Sequence, residues 1–329
     1  MCFFTSMKRE NDMKKLSFVI PCYRSEQTLT GVVDDIYDAM KEFQDRYSFE
    51  IILVNDCSPD GTYKVIKELA KKHDNITGIN LAKNFGQQGA LMAGFHKAAG
   101  DAIVCLDDDG QTPPSEVGKL IAKYEEGYDV VYSRYTNKKH SFFRNFGSFV
   151  NDKMAVLLIG KPKELYASSY YIVDRFVVDE VIKYNNPYPY ILGLILRTTN
   201  NIANVDIIHK AREVGESGYN MKKLLGLWLN GFTSFSIVPL RIATGTGVTI
   251  SFLSLIYIIY IVVRKLVNPD ISIGWSSTMS AILFVGGVIM CMLGMLGEYI
   301  GRIYIGLNNS PQYVVRETTD DDKDITGKQ

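Results

Sequence analysis

Short apolar runs of strand length alternate along the chain, as far as residue 133, with segments whose apolar residues recur at helical spacing. The run 16–21, for example, is followed by Leu29, Val32 and Ile36 on one predicted helical face. This alternation predicts an α/β fold, a mostly parallel sheet with helices on both faces. The predicted strands are 16–21, 49–54, 76–81, 102–106 and 128–133, and the predicted helices are 27–47, 63–72, 89–99 and 115–126.

Two long uncharged stretches lie near the end of the chain. No charged residue occurs between Arg241 and Arg264, or between Asp270 and Glu298. About 20 apolar residues cross a bilayer as a helix, so a C-terminal hairpin of two transmembrane helices is expected, and a buried core helix is the alternative. The expected organisation is an N-terminal extension 1–14, an α/β domain 15–240, a membrane segment 241–302 and a cytoplasmic tail 303–329. The two spans are expected near 242–263 and 271–297. From Glu317 onward the tail is expected to be acidic and disordered.

Two further stretches, near 141–158 and 221–235, are amphipathic at helical spacing. Such a pattern predicts helices that lie in a membrane interface. For the first stretch, packing against the sheet is an equally good interpretation. A basic group beside it is assigned to an acceptor phosphate or to anionic lipid headgroups and consists of Lys138, Lys139 and Arg144.

Composition excludes several classes of protein. The formal net charge is zero, which argues against a nucleic-acid partner, because binding to phosphate backbones draws on excess Lys and Arg. The five cysteines are odd in number and show no Cys-x-x-Cys spacing, so neither a disulfide framework nor a zinc site is expected. Residues 1–15 hold no hydrophobic core of signal-peptide length, so the α/β domain is expected in the cytoplasm.

The most informative polar motif follows the fourth predicted strand. Asp107 and Asp109 flank Asp108, and alternation along an extended chain turns the flanking pair to the same side. Asp108 is then a spacer on the other face, and its replacement is expected to matter less. Two close carboxylates repel each other unless a cation neutralises them, and Mg²⁺ binds one or two carboxylates together with phosphate oxygens. The motif therefore predicts a metal-held diphosphate, and an acidic turn is the alternative.

Other polar residues follow the first three predicted strands, where parallel sheets bind ligands. We expect Asp56 to reach a base or a ribose, while Glu26 fits either a ligand contact or a first-turn helix position. Asp60 and Thr62 are assigned to a turn and a helix cap. The candidates are Tyr23 and Glu26 after the first strand, Asp56 after the second, and Lys83 and Asn84 after the third.

Five motifs in this order resemble one family. They are PCYRSEQTL, VNDCSPDGT, NFGQQGALMAGF, the Asp-x-Asp pair followed by Gln111 and Pro113-Pro114, and GEYIGRIY. Together, over roughly 16–315, they resemble the family 2 GT-A glycosyltransferases that load a sugar from a nucleotide donor onto a polyprenyl phosphate. NFGQQGALMAGF and GESGYNMKKLL are most similar to the bacterial undecaprenyl-phosphate sugar transferases, including the formamido-arabinose transferase. The bactoprenol glucosyltransferases and dolichyl-phosphate mannose synthases are more distant.

The resemblance implies roles for individual residues. It assigns Mg²⁺ or Mn²⁺ binding to Asp107 and Asp109, with Asp109 also catalytic. Arginine's planar fork suits phosphate oxygens, so Arg134 and Arg212 are expected phosphate clamps, and a solvated surface position is the alternative for Arg134. The residues implied to bind the donor are Pro21, Tyr23, Glu26, Asp56, Lys83, Asp107, Gln111 and Ser217.

The sequence departs from the family pattern before Asp174-Arg175. Relatives carry there an acidic residue often interpreted as the catalytic base, whereas in 163–171 only Glu164 is acidic. A phosphate monoester, with a second pKa of about 6, needs little deprotonation before it attacks. Glu164 is thus a candidate for aligning the acceptor, although an exposed loop is the favoured interpretation.

The resemblance implies inverting transfer from a nucleotide-diphosphate sugar, expected to be a UDP-sugar, to undecaprenyl phosphate at the cytoplasmic face of the inner membrane. It also implies a homo-oligomer, expected to be a tetramer. One alternative is a membrane glycosyltransferase that elongates another lipid or glycan, although two spans weigh against a processive synthase. The other is a non-catalytic protein that binds nucleotide sugar or lipid.

Overall fold

The computed structural model describes residues 13–110, 112–135, 156, 160–207, 238–267, 274–308 and 310–320. The chain forms two units, a sheet domain that includes the segment from Pro311 onward, and a unit of two long helices. Both predicted interfacial helices lie outside the described residues, apart from residue 156. The same holds for the basic group near 138–144 and for Gln111, Arg212 and Ser217.

The sheet domain is built on one eight-stranded sheet. Its strands are β1 (Lys14–Cys22), β2 (Tyr47–Asn55), β3 (Ile76–Leu81), β4 (Ala102–Cys105), β5 (Val130–Tyr135), β6 (Tyr171–Asp174), β7 (Ile202–Ile207) and β8 (Val315–Thr318). They lie side by side in the order β7-β5-β6-β4-β1-β2-β3-β8. Only β6 and β8 run antiparallel to their neighbours, which confirms the expected mostly parallel sheet.

Helices cover both faces of this sheet, as predicted. The helices are α1 (Leu29–Met40), α2 (Thr62–Lys72), α3 (Gly86–Lys97), α4 (Val117–Glu125), α5 (Arg175–Val181), α6 (Ile191–Thr198), α7 (Val238–Val267) and α8 (Trp275–Leu307). On one face, α1, α2 and α4 bury their apolar stripes in a common core with β1 and β2. On the other face lies α3, where a side chain at Gly94 would overlap Val19 of β1, so glycine permits the close approach.

The last strand corrects the expectation of a disordered tail from Glu317. β8 pairs antiparallel with β3 and closes one edge of the sheet. The Gly78 amide of β3 donates to Thr319 Oγ1 at 2.8 Å. The Lys97 Nζ of α3 lies 2.6 Å from Asp320 Oδ2. The prediction of disorder is therefore wrong for 317–320, because the edge of β3 offers backbone partners that the acidic composition does not reveal.

The second unit consists of α7 and α8. α7 covers the first uncharged stretch, and α8 covers the second from Trp275 onward, so both form helices as predicted. Among the described residues, Phe284–Leu307 is the one helical segment long and apolar enough to cross a membrane, while Ala243–Tyr257 is apolar but shorter. The structure thus supports a span in α8 more directly than one in α7.

Candidate functional site

The loops that follow β1, β2, β3 and β4 meet at one edge of the sheet, because these four strands are parallel. Hydrogen bonds join the loops directly. The Asp56 amide donates to the Cys22 carbonyl at 3.0 Å, and the Phe85 amide donates to Asp56 Oδ1 at 2.7 Å. The sheet therefore brings together the strand-end residues that the sequence singled out.

The Asp107 carboxylate lies at the centre of this edge. Gln87 Nε2 donates to Oδ1 at 3.0 Å, and Ser169 Oγ donates to Oδ2. Burial raises the Asp107 pKa to about 6; the Ser169 hydrogen bond opposes this shift, and the charges of Asp109 and Asp108 add to it. The charges of Asp109 and Asp108 thus oppose the ionisation of Asp107.

A divalent cation fits this group of residues. Carboxylate oxygens are hard ligands, and a cation would relieve the repulsion that contributes to the raised Asp107 pKa. Within the described ranges, no three His, Cys, Asp or Glu side chains form a complete cage. Asp107 and Asp109 would therefore hold the ion together with oxygens of a bound diphosphate, the usual arrangement for Mg²⁺.

Asp108 is more than a spacer between the two flanking carboxylates. Its Oδ2 accepts the Tyr23 amide at 2.9 Å and the Ser25 hydroxyl, and its carbonyl accepts Thr28 Oγ1 at 2.6 Å. Burial raises the Asp108 pKa, and the hydrogen bonds from Ser25 and Tyr23 oppose that shift. The expectation that replacing Asp108 matters less overlooked this anchoring of the loop after β1.

Asp56 is buried, and it holds the start of α3. Its Oδ1 accepts the Phe85 amide at 2.7 Å and its Oδ2 accepts the Gly86 amide at 2.9 Å. Burial raises the Asp56 pKa, against the effect of these two bonds. Each carboxylate oxygen retains a second acceptor position, so a contact with a base or ribose stays a prediction.

Glu26 has a role that neither interpretation anticipated. It precedes α1, which begins at Leu29, and its Oε2 accepts the Gly61 amide at 2.9 Å, just before α2. Asp60 Oδ1 accepts both the amide and the hydroxyl of Thr62, at 3.3 and 2.6 Å. Asp60 thus lies in the turn before α2, as assigned, whereas the N-cap is Gly61 and Thr62 is the first residue of the helix, so the assignment of a cap to these residues is wrong.

The remaining donor candidates line the same sheet edge. Pro21 is a partly buried residue of β1. Tyr23 is 46% exposed, with the Arg24 guanidinium 5.6 Å from its ring centroid. Lys83 is exposed and places Nζ 4.9 Å from the centroid of the Phe85 ring. Their contacts with a donor stay predictions.

Arg134 lies in an ion pair at the β5–β7 edge. Its Nε and an η nitrogen donate to the two carboxylate oxygens of Asp206, at 2.6 and 3.0 Å. The neighbouring Tyr135 hydrogen-bonds Ser169 beside Asp107, and successive strand residues point to opposite faces. The Arg134 guanidinium is thus directed away from the carboxylate pair, which favours the surface interpretation, and its phosphate role stays a prediction.

The segment that departs from the family pattern reaches the site through a different residue than expected. Glu164 is exposed in a turn, whereas Ser169 contacts Asp107. Ser169, Gln87 and Tyr135 were not among the residues predicted to belong to the site. Gln87 lies within the motif NFGQQGALMAGF and Ser169 within the departing segment, so both carried a signal, but their partner could only be identified from the packed loops.

Comparisons with known proteins agree with this geometry. The family described as Glycosyl transferase family 2 matches residues 17–182, and the family described as GtrB C-terminal hairpin matches residues 238–303. The first match covers the strand ends described above as far as the residue after α5. The second covers α7 and most of α8.

Two relatives align over nearly the whole chain. Undecaprenyl-phosphate 4-deoxy-4-formamido-L-arabinose transferase of Proteus mirabilis is 32% identical over 93% of this chain and 94% of its own length. Uncharacterized glycosyltransferase YkcC of Bacillus subtilis is 31% identical over 92% of this chain and 93% of its own length. Glucosyl-3-phosphoglycerate synthase of Mycobacterium tuberculosis, crystallised with Mn²⁺ and UDP-glucose, is 17% identical with a TM-score of 0.49, over 67% of this chain and 77% of that one. A likeness at that level assigns no ligand to this chain.

Proposed function

The chain belongs to glycosyl transferase family 2, and on that premise we propose that it transfers a sugar from a nucleotide diphosphate to a polyprenyl phosphate at a membrane. The observation that carries this proposal is the half-buried Asp107 carboxylate, crowded by Asp109 where the loops after β1, β2 and β3 converge. Such a strand-end site suits a nucleotide with a charged diphosphate.

In this proposal the donor lies across the four loops. Tyr23 and Asp56 contact the nucleoside, while Asp107 and Asp109 would hold Mg²⁺ or Mn²⁺ at the diphosphate. When bound, the ion neutralises charge that develops on the departing nucleoside diphosphate. Arg212, outside the described residues, supplies a further positive charge to the same phosphates.

The acceptor phosphate attacks the anomeric carbon from the side opposite the leaving diphosphate, which inverts the configuration at that carbon. The acceptor is largely dianionic near neutral pH, so the attack needs little help from a base. Correct positioning and charge stabilisation then supply most of the rate enhancement. The exposed position of Glu164 supports a mechanism without a base from that loop.

A membrane acceptor is supported by the hairpin family and by the order of the chain. β7 precedes the two long helices and β8 follows them, yet both strands belong to one sheet. The two ends of the helix pair must therefore lie on the same side of a bilayer, which two spans satisfy. The name of the Proteus relative supports undecaprenyl phosphate as the lipid, and a UDP-sugar pool requires the cytoplasmic face.

The direct test is product analysis. Membranes carrying the full-length protein and undecaprenyl phosphate are incubated with a panel of nucleotide sugars, and the lipids are analysed by mass spectrometry. A lipid phosphate ester of one sugar is the expected product, with its anomeric configuration checked by NMR against the donor. A longer glycan would identify an elongating enzyme, and no product with any donor, despite measurable nucleotide binding, would identify a binding protein.

A further inference from the structure

Both oxygens of the Asp107 carboxylate are held by side-chain donors. Gln87, in the first turn of α3, donates to Oδ1 at 3.0 Å, and Ser169, just before β6, donates to Oδ2. The two donors come from segments far apart in sequence. The carboxylate therefore cannot rotate without breaking at least one of these bonds.

Ser169 is itself fixed in place. Its hydroxyl hydrogen-bonds Tyr135 of β5. The preceding Ser168 places Oγ 2.9 Å from Ser133 Oγ and donates to the Tyr170 carbonyl at 2.9 Å. The residues 168–170, just before β6, thus hold the Ser169 hydroxyl against Asp107.

Gln87 is fixed from the other side. Its helix begins where Asp56 accepts the amides of Phe85 and Gly86, so this turn is tied to the end of β2. The next residue, Gln88, accepts the Ile191 amide at 2.9 Å and ties the same turn to the start of α6. Gln87 points instead to Asp107.

We propose that Gln87 and Ser169 are positioning residues that set the affinity of Asp107 for its divalent cation. The proposal rests on the proposed function in one respect, namely that Asp107 is a cation ligand. Each donor occupies one acceptor position of a carboxylate oxygen and leaves the other for the ion. Partners of this kind orient metal ligands, and losing one typically lowers metal affinity about 10–100-fold.

The proposal also gives a physical reason for the departure from the family pattern before Asp174. An acidic residue at position 169 would place another negative charge beside Asp107, whereas a serine hydroxyl donates a hydrogen bond to that carboxylate. Ser169 therefore stabilises the ionised ligand. In this chain the segment orients a carboxylate and does not supply one.

The test uses the full-length protein in detergent and measures Mn²⁺ binding in the presence of UDP, with free Mn²⁺ quantified by EPR. We expect Gln87→Ala and Ser169→Ala each to weaken Mn²⁺ binding about 10–100-fold. Ser169→Thr, which keeps the hydroxyl, should restore most of the affinity. Excess Mn²⁺ should restore the kcat of both alanine variants, because their defect lies in metal binding.

Each variant has a matched control one residue away. Gln88→Ala removes a glutamine from the same helical turn, and Ser168→Ala removes a serine from the same segment, yet neither side chain contacts Asp107. Both controls should weaken Mn²⁺ binding less than the test variants do, because each removes a support of the donor and leaves the donor itself in place. If the controls weaken Mn²⁺ binding as much as the test variants do, the substitutions act by loosening the loops in general, and the proposal is overturned.

Asp107→Asn separates this proposal from the proposed function. If Asp107→Asn loses Mn²⁺ while Gln87→Ala and Ser169→Ala bind it normally, Asp107 is a ligand and the positioning role is wrong. If Asp107→Asn itself binds Mn²⁺ like the wild type, Asp107 is not a ligand and the metal assignment of the proposed function fails.

Discussion

The carboxylate of Asp108 accepts the backbone N–H of Tyr23 at 2.9 Å, so the loop after β4 holds the loop after β1. The adjacent Asp107 faces the other way, toward Gln87 and Ser169. Consecutive carboxylates thus serve two purposes. One anchors the loop proposed to contact the nucleoside, and the other is the proposed ligand of the ion at the diphosphate.

Replacing Asp108 with Ala is expected to destabilise the sheet domain and to weaken donor binding. The change leaves the Tyr23 amide and the Ser25 hydroxyl without their acceptor, at a cost of about 1–3 kcal/mol for each donor that stays buried. Thermal unfolding of the full-length protein and UDP binding by calorimetry measure both effects. The control is Asp38→Ala, an exposed carboxylate paired with Lys41 on α1, and equal melting temperatures for the two variants would contradict the anchoring role.

Replacing Asp107 with Asn is expected to lower sugar transfer by at least about 100-fold. A bound metal supplies several kcal/mol of charge stabilisation in the transition state, and each 1.36 kcal/mol corresponds to tenfold in rate. Transfer of radiolabelled sugar to lipid extract measures the loss. The same assay on Asp109→Asn should show a comparable decrease, and wild-type transfer in either variant would remove the metal role from that residue.

The sequence predicted the first half of the fold well because that half repeats one simple pattern. Apolar runs such as 76–81 coincide with strands. Because neighbouring strands are parallel, the Asp-x-Asp pair could be expected to lie among other polar residues at the strand ends. β6, α5, α6 and β7 were not anticipated. β6 has four residues and runs against its neighbours, so its existence depends on the strands on either side and not on its own periodicity.

The site was predictable in its location but not in its partners. Alternation correctly separated Asp108 from Asp107, yet it gave no hint that the Tyr23 amide would meet the Asp108 carboxylate. Arg134 illustrates the converse. Its position after the fifth predicted strand suggested a phosphate contact, whereas in the structure it lies within β5, where strand alternation and Asp206 on β7 direct it to the opposite face. Both facts depend on strand neighbours, which a single sequence does not specify.

Replacing Glu50 with Gln is expected to destabilise the protein at neutral pH and progressively less in acid. Burial would raise the Glu50 pKa, but hydrogen bonds from Lys15, Ser17 and the Ala99 amide hold it below its ordinary value of 4.5. A carboxyl with a lowered folded-state pKa contributes stability above its unfolded pKa, and this contribution is lost as the pH falls through the folded-state pKa.

The measurement for Glu50 is the difference in melting temperature between wild type and Glu50→Gln from pH 7 down to pH 3. The difference should shrink below about pH 4.5, the ordinary pKa. Glu68→Gln, an exposed residue on α2, is the control and should show little difference at any pH. A constant difference for Glu50→Gln across the range would show that its ionisation does not contribute.

Replacing Gly78 with Ala is expected to lower stability by about 1–3 kcal/mol, because the new methyl group overpacks the β3–β8 junction. It would overlap Ile66 and lie 2.9 Å from Thr319 Cγ2. Gly31→Ala is the matched control, since nothing lies within 4 Å of its added methyl and it sits inside α1. That variant should gain about 0.5–1 kcal/mol. Thermal unfolding that shows both variants equally stable would contradict the tight junction.

Replacing Arg134 with Ala is expected to leave sugar transfer close to the wild-type rate. Its guanidinium pairs with Asp206 at an exposed edge, so Arg134→Ala and Asp206→Ala should have similarly small effects on transfer and on melting temperature. Kinetics with varied donor concentration test this. A large loss of kcat in Arg134→Ala alone would establish the phosphate clamp and would require the guanidinium to leave Asp206 during the reaction.

The pairing of β8 with β3 also imposes an order on biosynthesis. Asn80 and Glu317, joined by a side-chain hydrogen bond at 2.9 Å, are 237 residues apart in the chain. At translation rates of about 5–20 residues per second, β8 is synthesised on the order of 10–50 s after β3. During that interval the edge of β3 is open to pairing with other chains. The sheet domain is therefore completed last, after α7 and α8 have been synthesised.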